Sequence, residues 1–389
     1  MFLELKKFNV LIGEQATGKS TVAKLLAVCR YFSYIANDQG VFNYPNENHF
    51  LEGLKSWGLN DSIKEDSYIE YKWKHYKVVV QYIEVVAIEH DEEGNAHEHK
   101  ELLFLPKLSD CSNEFNALLS ELEKLKPKSD SGLYDFTNLF WTIPTSFFQN
   151  DVASLIDNPF YLPTERGLQS IFSLGKNSIP NINDALFNQF ANLDQIARQF
   201  SKEIEIEPLN VVYKNDSGRG YVRKKDQNSY YSLSKGASGF QSAIPVVLVV
   251  KYYSEIRKKV KTLLIEEPEL NLFPLSQDKL VRFLVDKCVN NNISMLLTTH
   301  SPYILTSLNN LMYAYQIGKD NVSKVERIVE RRYWVNPEDV SAYMLLPNGT
   351  CESIIDSEGL IKAEKIDSVS AILNEDFNAI MDIEINDTK

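Results

Sequence analysis

Cysteine is scarce in this chain and unpaired in its pattern. Cys29, Cys111, Cys288 and Cys351 are scattered, with no C-x-x-C pair. That spacing excludes a disulfide-stapled scaffold and a zinc ribbon and points to a reducing compartment. Long apolar runs are missing as well. None approaches the roughly 20 residues of a membrane-spanning helix, so no membrane partner is expected. Positive charge is not in excess: the formal net charge is −12, which argues against a protein that coats nucleic acid over its whole surface. A local basic groove stays open. Arg257-Lys258-Lys259 with Lys261, and Arg327 with Arg331-Arg332, are candidate patches, and solvated helix or strand faces explain them at least as well. Charges at Glu4, Lys6 and Lys7 predict no secretory signal and a cytoplasmic location.

What is present is ordinary for a globular protein: 44% hydrophobic and 24% charged residues over 389 positions. The length allows one large core with an insertion, or two domains. Against that background one segment stands out. Gly13-Glu14-Gln15-Ala16-Thr17-Gly18-Lys19-Ser20 fits the phosphate-loop pattern G-x-x-x-x-G-K-[ST]. It follows the apolar run Phe8-Asn9-Val10-Leu11-Ile12 and precedes a helix-like stretch from Thr21 to Val28. A strand therefore delivers the loop and a helix N-terminus leaves it, so backbone N–H groups and the helix dipole converge on an anion. Gly13 to Thr21 are the candidate nucleotide-binding residues. Lys19 would reach the β- and γ-phosphates, and the Ser20 hydroxyl would sit on Mg²⁺.

Three further strings supply chemistry. The run Lys261-Thr262-Leu263-Leu264-Ile265-Glu266-Glu267-Pro268-Glu269 reads as an apolar strand ending in acids. Glu266 can orient Mg²⁺ or its water, and Glu267 can polarise the attacking water. In Leu297-Thr298-Thr299-His300-Ser301-Pro302 a second strand ends in one of only six histidines, where the imidazole can bond the γ-phosphate and report its presence. Gly236-Ala237-Ser238-Gly239-Phe240-Gln241-Ser242 opens a helix whose small residues make another anion site.

Coarser patterning places these motifs. Residues 66–104 read as antiparallel strands and hairpins with a turn at 91–95, and 112–126 as a helix. Residues 205–233 return to strand, with a turn at Asn215-Asp216-Ser217-Gly218. A helix at about 238–257, a buried strand at 262–265, a helix at about 275–288 and a buried strand at 293–299 make an α/β alternation. The expected fold class is α/β, a mixed or parallel sheet with flanking helices plus an antiparallel β and helical insertion. Residues 1–36 and 205–345 are expected to form the core, 37–204 the insertion and 346–389 a C-terminal extension.

Taken in order, these motifs resemble the ABC-type ATPase heads of the SMC, Rad50, RecF and OLD group. The resemblance extends to stand-alone ATPases of bacterial anti-phage defence, such as the PARIS-type ATPase subunit, where a string like Tyr161-Leu162-Pro163-Thr164-Glu165-Arg166 is common. It implies ATP hydrolysis between two subunits, with Ser238 and Gly239 acting in trans and Lys19, Ser20, Glu266, Glu267 and His300 in cis. It offers Gln149 as a Mg²⁺ ligand, against a plain core-edge glutamine. The signature also aligns on Leu233-Ser234-Lys235-Gly236-Ala237, which leaves the trans serine open. Asn271 and Phe273 replace residues usual after the acids. Little chain precedes the loop to supply an adenine-stacking aromatic; Phe8 is either that residue or core.

Nucleases of the OLD type follow such an ATPase with a TOPRIM domain, and the stretch after Pro302 is too short for one, so no nuclease is expected in this chain. His90, His97 and His99 flank the turn at 91–95 and match no zinc spacing, so no metal is assigned there. The expected function is an ATP-dependent sensor or scaffold that self-associates and controls a separately encoded nuclease or toxin, triggered by DNA or a phage protein. The alternative is a RecF-like repair ATPase that binds DNA directly. A transporter's nucleotide-binding subunit and a small-molecule kinase both fit the motif set poorly.

Overall fold

Runs of Val, Ile and Leu too continuous for alternation become strands buried on both faces. In the computed structural model, β1 (Phe8–Gly13), β10 (Thr262–Glu266) and β11 (Ser294–Thr299) are buried along almost their whole length. The residues described are 1–38, 53–59, 67–73, 76–90, 96–109, 159–168, 193, 195–200, 202–256, 262–362, 374–375, 377–378 and 380–381. They divide into two units, one of Met1–Ala23 with Phe160–Lys389, the other of Lys24–Pro159.

The first unit is built on a six-stranded sheet. With β5 (Pro159–Leu162), β12 (Val340–Leu345) and β13 (Cys351–Ser353), its order is β13-β12-β1-β11-β10-β5. β1 lies parallel to both β11 and β12, β10 is parallel to β11, and β13 is antiparallel to its neighbour β12. The register sets Ile12 beside Thr299 and Glu266 beside Thr298. The phosphate loop, the acids and His300 thus leave the same, C-terminal, edge of the parallel strands.

Helices alternate with these strands along the chain. α1 (Lys19–Asp38) leaves the phosphate loop. α2 (Ser238–Lys251) is buried from Ser242 to Lys251, all round rather than on one stripe, as an interior helix must be. It passes into a π turn at Tyr252–Ile256, so the helix expected to 257 changes its hydrogen bonding there. α3 (Pro274–Cys288) starts on a proline and buries Leu280, Val281, Phe283, Leu284 and Cys288. α4 (Pro302–Val325) is capped by Ser301, whose hydroxyl accepts the Tyr303 N–H at 3.1 Å. The motifs do not foretell α4, β12 or β13, although Ile304, Leu305, Leu308, Leu311 and Met312 have helical spacing and are fully buried.

A second sheet in this unit is antiparallel: β6 (Ile204–Ile206), β7 (Val211–Asp216), β8 (Arg219–Lys224) and β9 (Tyr231–Ser232). Its β7–β8 hairpin turns through Ser217 at φ 53° and Gly218 at φ 83°. Two left-handed residues are what a tight two-residue hairpin needs, and the Ser-Gly pair provides them. In the other unit, β2 (Tyr68–Trp73), β3 (Tyr76–His90) and β4 (Ala96–Ser109) form an antiparallel sheet. The hairpin expected around 91–95 closes there with His90 opposite Ala96. The helix expected at 112–126 and the Gln149 ligand lie outside the described residues.

Candidate nucleotide site

The phosphate loop turns back on itself through Ala16 at φ 62° and Gly18 at φ 91°. Gly13 is pressed against β12: a Cβ there would lie 2.5 Å from the Leu345 carbonyl oxygen, so only glycine fits. Thr17 Oγ1 donates to the Glu14 carbonyl at 2.9 Å. Lys19 is folded over the loop, 6% exposed, with Nζ donating to the Gly13 and Glu14 carbonyls at 2.8 and 2.7 Å. Burial pulls its pKa below the usual lysine range, and the charges of Glu267, Glu266 and Glu269 push back. Those three acids therefore lie within the electrostatic reach of Lys19. Glu14, Gln15, Ala16, Ser20 and Thr21 are exposed, so the loop presents its backbone and the Ser20 hydroxyl outward.

The acids divide by environment. Glu266, at the end of β10, is 3% exposed. Its Oε2 is 3.4 Å from the Thr164 N–H, and its Oε1 is buried with no hydrogen-bond partner among the described residues. Tyr161 lies beside it; burial first, and then this carboxylate, push the phenol far above the usual tyrosine range. Glu267 is more open, at 28% side-chain exposure, and its Oε1 is 3.3 Å from His300 Nε2. Its backbone is left-handed, at φ 40°, an unfavourable state for a side chain with a Cβ. Its N–H is held by the Thr298 carbonyl at 2.8 Å. The structure thus brings Lys19, Glu266, Glu267 and His300 to one edge of the sheet.

Glu269 belongs to the same cluster and was not singled out by the motifs. Its Oε1 accepts from Thr299 Oγ1 at 2.5 Å and from the His300 N–H at 3.1 Å, while Oε2 is buried without a partner among the described residues. It fixes the backbone on which His300 stands. Burial raises its carboxyl pKa above the usual range. A raised acid pKa favours the folded state at low pH and costs stability as pH climbs through and above the unfolded value. Glu269→Gln keeps an oxygen acceptor and removes the titration. Its thermal midpoint should gain on that of the parent chain as pH rises from about 4.5, the ordinary carboxyl value, toward neutral. A constant difference across that range would contradict the costly burial of an ionised carboxyl.

Arg166, in the string that follows β5, is a further member of this cluster that no motif marks. It is fully buried and donates to the carbonyls of Pro163, Ser242, Glu266 and Glu267. Ser238 opens α2 and is exposed; the N-cap, Ala237, provides no side-chain cap. Ser234, from the other alignment, lies in a short 3-10 turn with its hydroxyl 2.9 Å from that of Ser232. Gly239 faces the chain just after the acids, where a Cβ would meet the Asn271 carbonyl oxygen at 2.7 Å. Phe8 is fully buried in the core, which makes it a packing residue.

A divalent cation is what this donor set fits. Glu266 Oε1 is a buried oxygen with no hydrogen-bond partner among the described residues, and Ser20 offers a hydroxyl at the first turn of α1. Among the described residues no group of three or more His, Cys, Asp or Glu is placed to hold a metal. Magnesium bound through one carboxylate plus substrate phosphates needs no such group. No helix of the described residues is long and apolar enough to cross a membrane.

Residues 152–305 match the model of an AAA ATPase domain, a span that holds Arg166, Ser238, Glu266, Glu267 and His300 and leaves out the phosphate loop. An OLD nuclease from Thermus scotoductus is 33% identical over 104 residues, which is 27% of this chain and 18% of that protein. The matched segment therefore spans under a fifth of the relative. Among solved structures, the SMC head domain from Thermotoga maritima is 10% identical at a TM-score of 0.34, over 90% of this chain and 89% of that one. An Smc head with an extended coiled coil bound to the C-terminal domain of ScpA, from Pyrococcus furiosus, is 10% identical at a TM-score of 0.32, over 90% and 91%.

Proposed function

We propose that this chain binds and hydrolyses ATP at the edge formed by Gly13–Thr21, Glu266, Glu267 and His300, and that a second copy completes the site through Ser238 and Gly239. The observation that carries the reading is Lys19: a buried ammonium on the phosphate loop, in the field of the three acids that end and follow β10. Lys19 exchanges two loop carbonyls for phosphate oxygens. Glu267, partly open to water and paired with His300, takes a proton from the attacking water. The His300 imidazole bonds the γ-phosphate and reports its presence. Ser20 and Glu266 would hold Mg²⁺, with Gln149 a further candidate, and the ion would supply charge neutralisation on the β- and γ-oxygens. The assay is phosphate release from ATP by the purified chain, with and without Mg²⁺; no release above buffer in either case would refute the reading.

The physiological reading is that hydrolysis is slow and regulatory. ATP gates self-association in the cytoplasm, and the assembly restrains or releases a separately encoded nuclease or toxin in anti-phage defence, on a signal from DNA or a phage protein. What supports it is the motif order, the AAA ATPase domain match and the likeness of one segment to an OLD nuclease. Co-purification with the product of an adjacent gene tests it. Salt-dependent binding of duplex DNA with stimulation of the ATPase, and no protein partner, would favour direct DNA repair instead.

A further inference from the structure

Arg166 is an expensive residue to bury. A guanidinium with zero exposure needs good geometry and satisfied donors to be tolerated at all, and here every acceptor is a backbone carbonyl. Nε reaches Ser242 O at 2.8 Å; Nη1 reaches Pro163 O at 2.9 Å and Glu266 O at 2.6 Å; Nη2 reaches Glu267 O at 2.6 Å. These oxygens belong to three separate pieces of chain: the segment after β5, the interior helix α2, and the end of β10. No other cation has the planar fork that could span them.

The α2 end of this bridge is itself tied to the chain that follows the acids. Ser242 Oγ donates to Ser238 O at 3.0 Å and accepts from Asn271 Nδ2 at 3.0 Å. Asn271 is left-handed at φ 61°, and its carbonyl packs on the bare face of Gly239. Ser238, Gly239, Ser242, Asn271 and Arg166 thus form one connected block, and its other end is the carbonyl of Glu267, whose own backbone is held left-handed.

We propose that Arg166 is a positioning residue that couples the N-terminus of α2 to Glu267, so that engagement of Ser238 by one nucleotide aligns the water-polarising carboxylate for another. This rests on the reading that Ser238 serves the partner's ATP while Glu267 serves the chain's own. A shift of α2 pulls Ser242 O, and the guanidinium passes that shift to the Glu266 and Glu267 carbonyls. Hydrolysis at the two sites of a pair is then reciprocal: a chain cleaves its own ATP efficiently only while its α2 touches the ATP of the other chain.

The test compares the parent chain, Arg166→Lys and Asn271→Gly, measuring ATP binding, kcat and the Hill coefficient of turnover. Lysine keeps a charge without the fork, and glycine suits the left-handed position while removing the amide. Arg166→Lys should still bind ATP but lose about 10²-fold in kcat, the scale of a misplaced catalytic group. Asn271→Gly should lose about 2- to 10-fold, one hydrogen bond's worth. In both variants a Hill coefficient above one should fall toward one, a change that simple loss of packing would not produce. The double variant should lose less than the product of the single losses, as members of one network do. If Arg166→Lys fails to fold, Asn271→Gly decides alone. Parental kcat and Hill coefficient in Asn271→Gly, or ATP binding lost in step with kcat, would overturn the coupling. A parent chain that neither hydrolyses ATP nor associates with it would overturn the underlying reading instead.

Discussion

Glu267→Gln should bind ATP, hold it and fail to cleave it. The substitution preserves size and a hydrogen-bonding oxygen opposite His300 Nε2, now 3.3 Å from Glu267 Oε1, and removes only the group that accepts the water's proton. General-base catalysis is worth about 10²- to 10⁴-fold, so kcat should fall by about 10³-fold while ATP affinity holds. Because ATP is then trapped uncleaved, any ATP-dependent assembly should persist. The backbone at φ 40° is strained equally in Glu and Gln, so thermal stability should barely change. Steady-state phosphate release together with equilibrium ATP binding checks this. An unchanged rate would remove Glu267 from the chemistry.

Lys19→Ala should lose nucleotide binding itself. The ammonium now satisfies the Gly13 and Glu14 carbonyls at 2.8 and 2.7 Å, bonds it can trade for phosphate oxygens without losing donors. Charge-assisted hydrogen bonds contribute about 1.5–3 kcal/mol each, so two phosphate contacts correspond to about 10²- to 10⁴-fold in ATP affinity. The fold should tolerate the change, since burial already disfavours the charged lysine and its loss relieves that cost. Calorimetric titration with ATP separates the two effects. Tight ATP binding by Lys19→Ala would contradict the loop's assignment.

The central sheet was legible because its strands are buried on both faces, and such strands read as unbroken apolar runs. Leu263-Leu264-Ile265 and Met295-Leu296-Leu297 needed no partner to be recognised. The acids and His300 were legible as the residues that end those runs. The turn at Ser217-Gly218 was legible from its residue types. α4 was not, although its apolar spacing is regular, because no motif marks it; β12 is placed by pairing with β1, and the three-residue β13 by pairing with β12. Arg166 stands in the string after β5 with no side-chain pattern to mark its role. Its acceptors are main-chain carbonyls, and all but that of Pro163 lie 76 or more residues away in sequence; side-chain patterns carry no trace of those. The same holds for Glu269, whose partner Thr299 and the His300 N–H are brought to it only by the register of β10 with β11.

Whether the site is shared between two copies can be read from a mixture of two disabled chains. Glu267→Gln lacks the water-polarising group of its own site, and Ser238→Glu, altered at an exposed residue, would repel the phosphate held by a partner. Alone, each should be nearly inactive. Mixed in equal amounts, half of randomly formed pairs would contain one complete site, so activity should rise above that of either component to at most about a quarter of the parental rate, the coupling through Arg166 setting how far below. A mixture as inactive as its components, with both variants still binding ATP, would contradict the shared site.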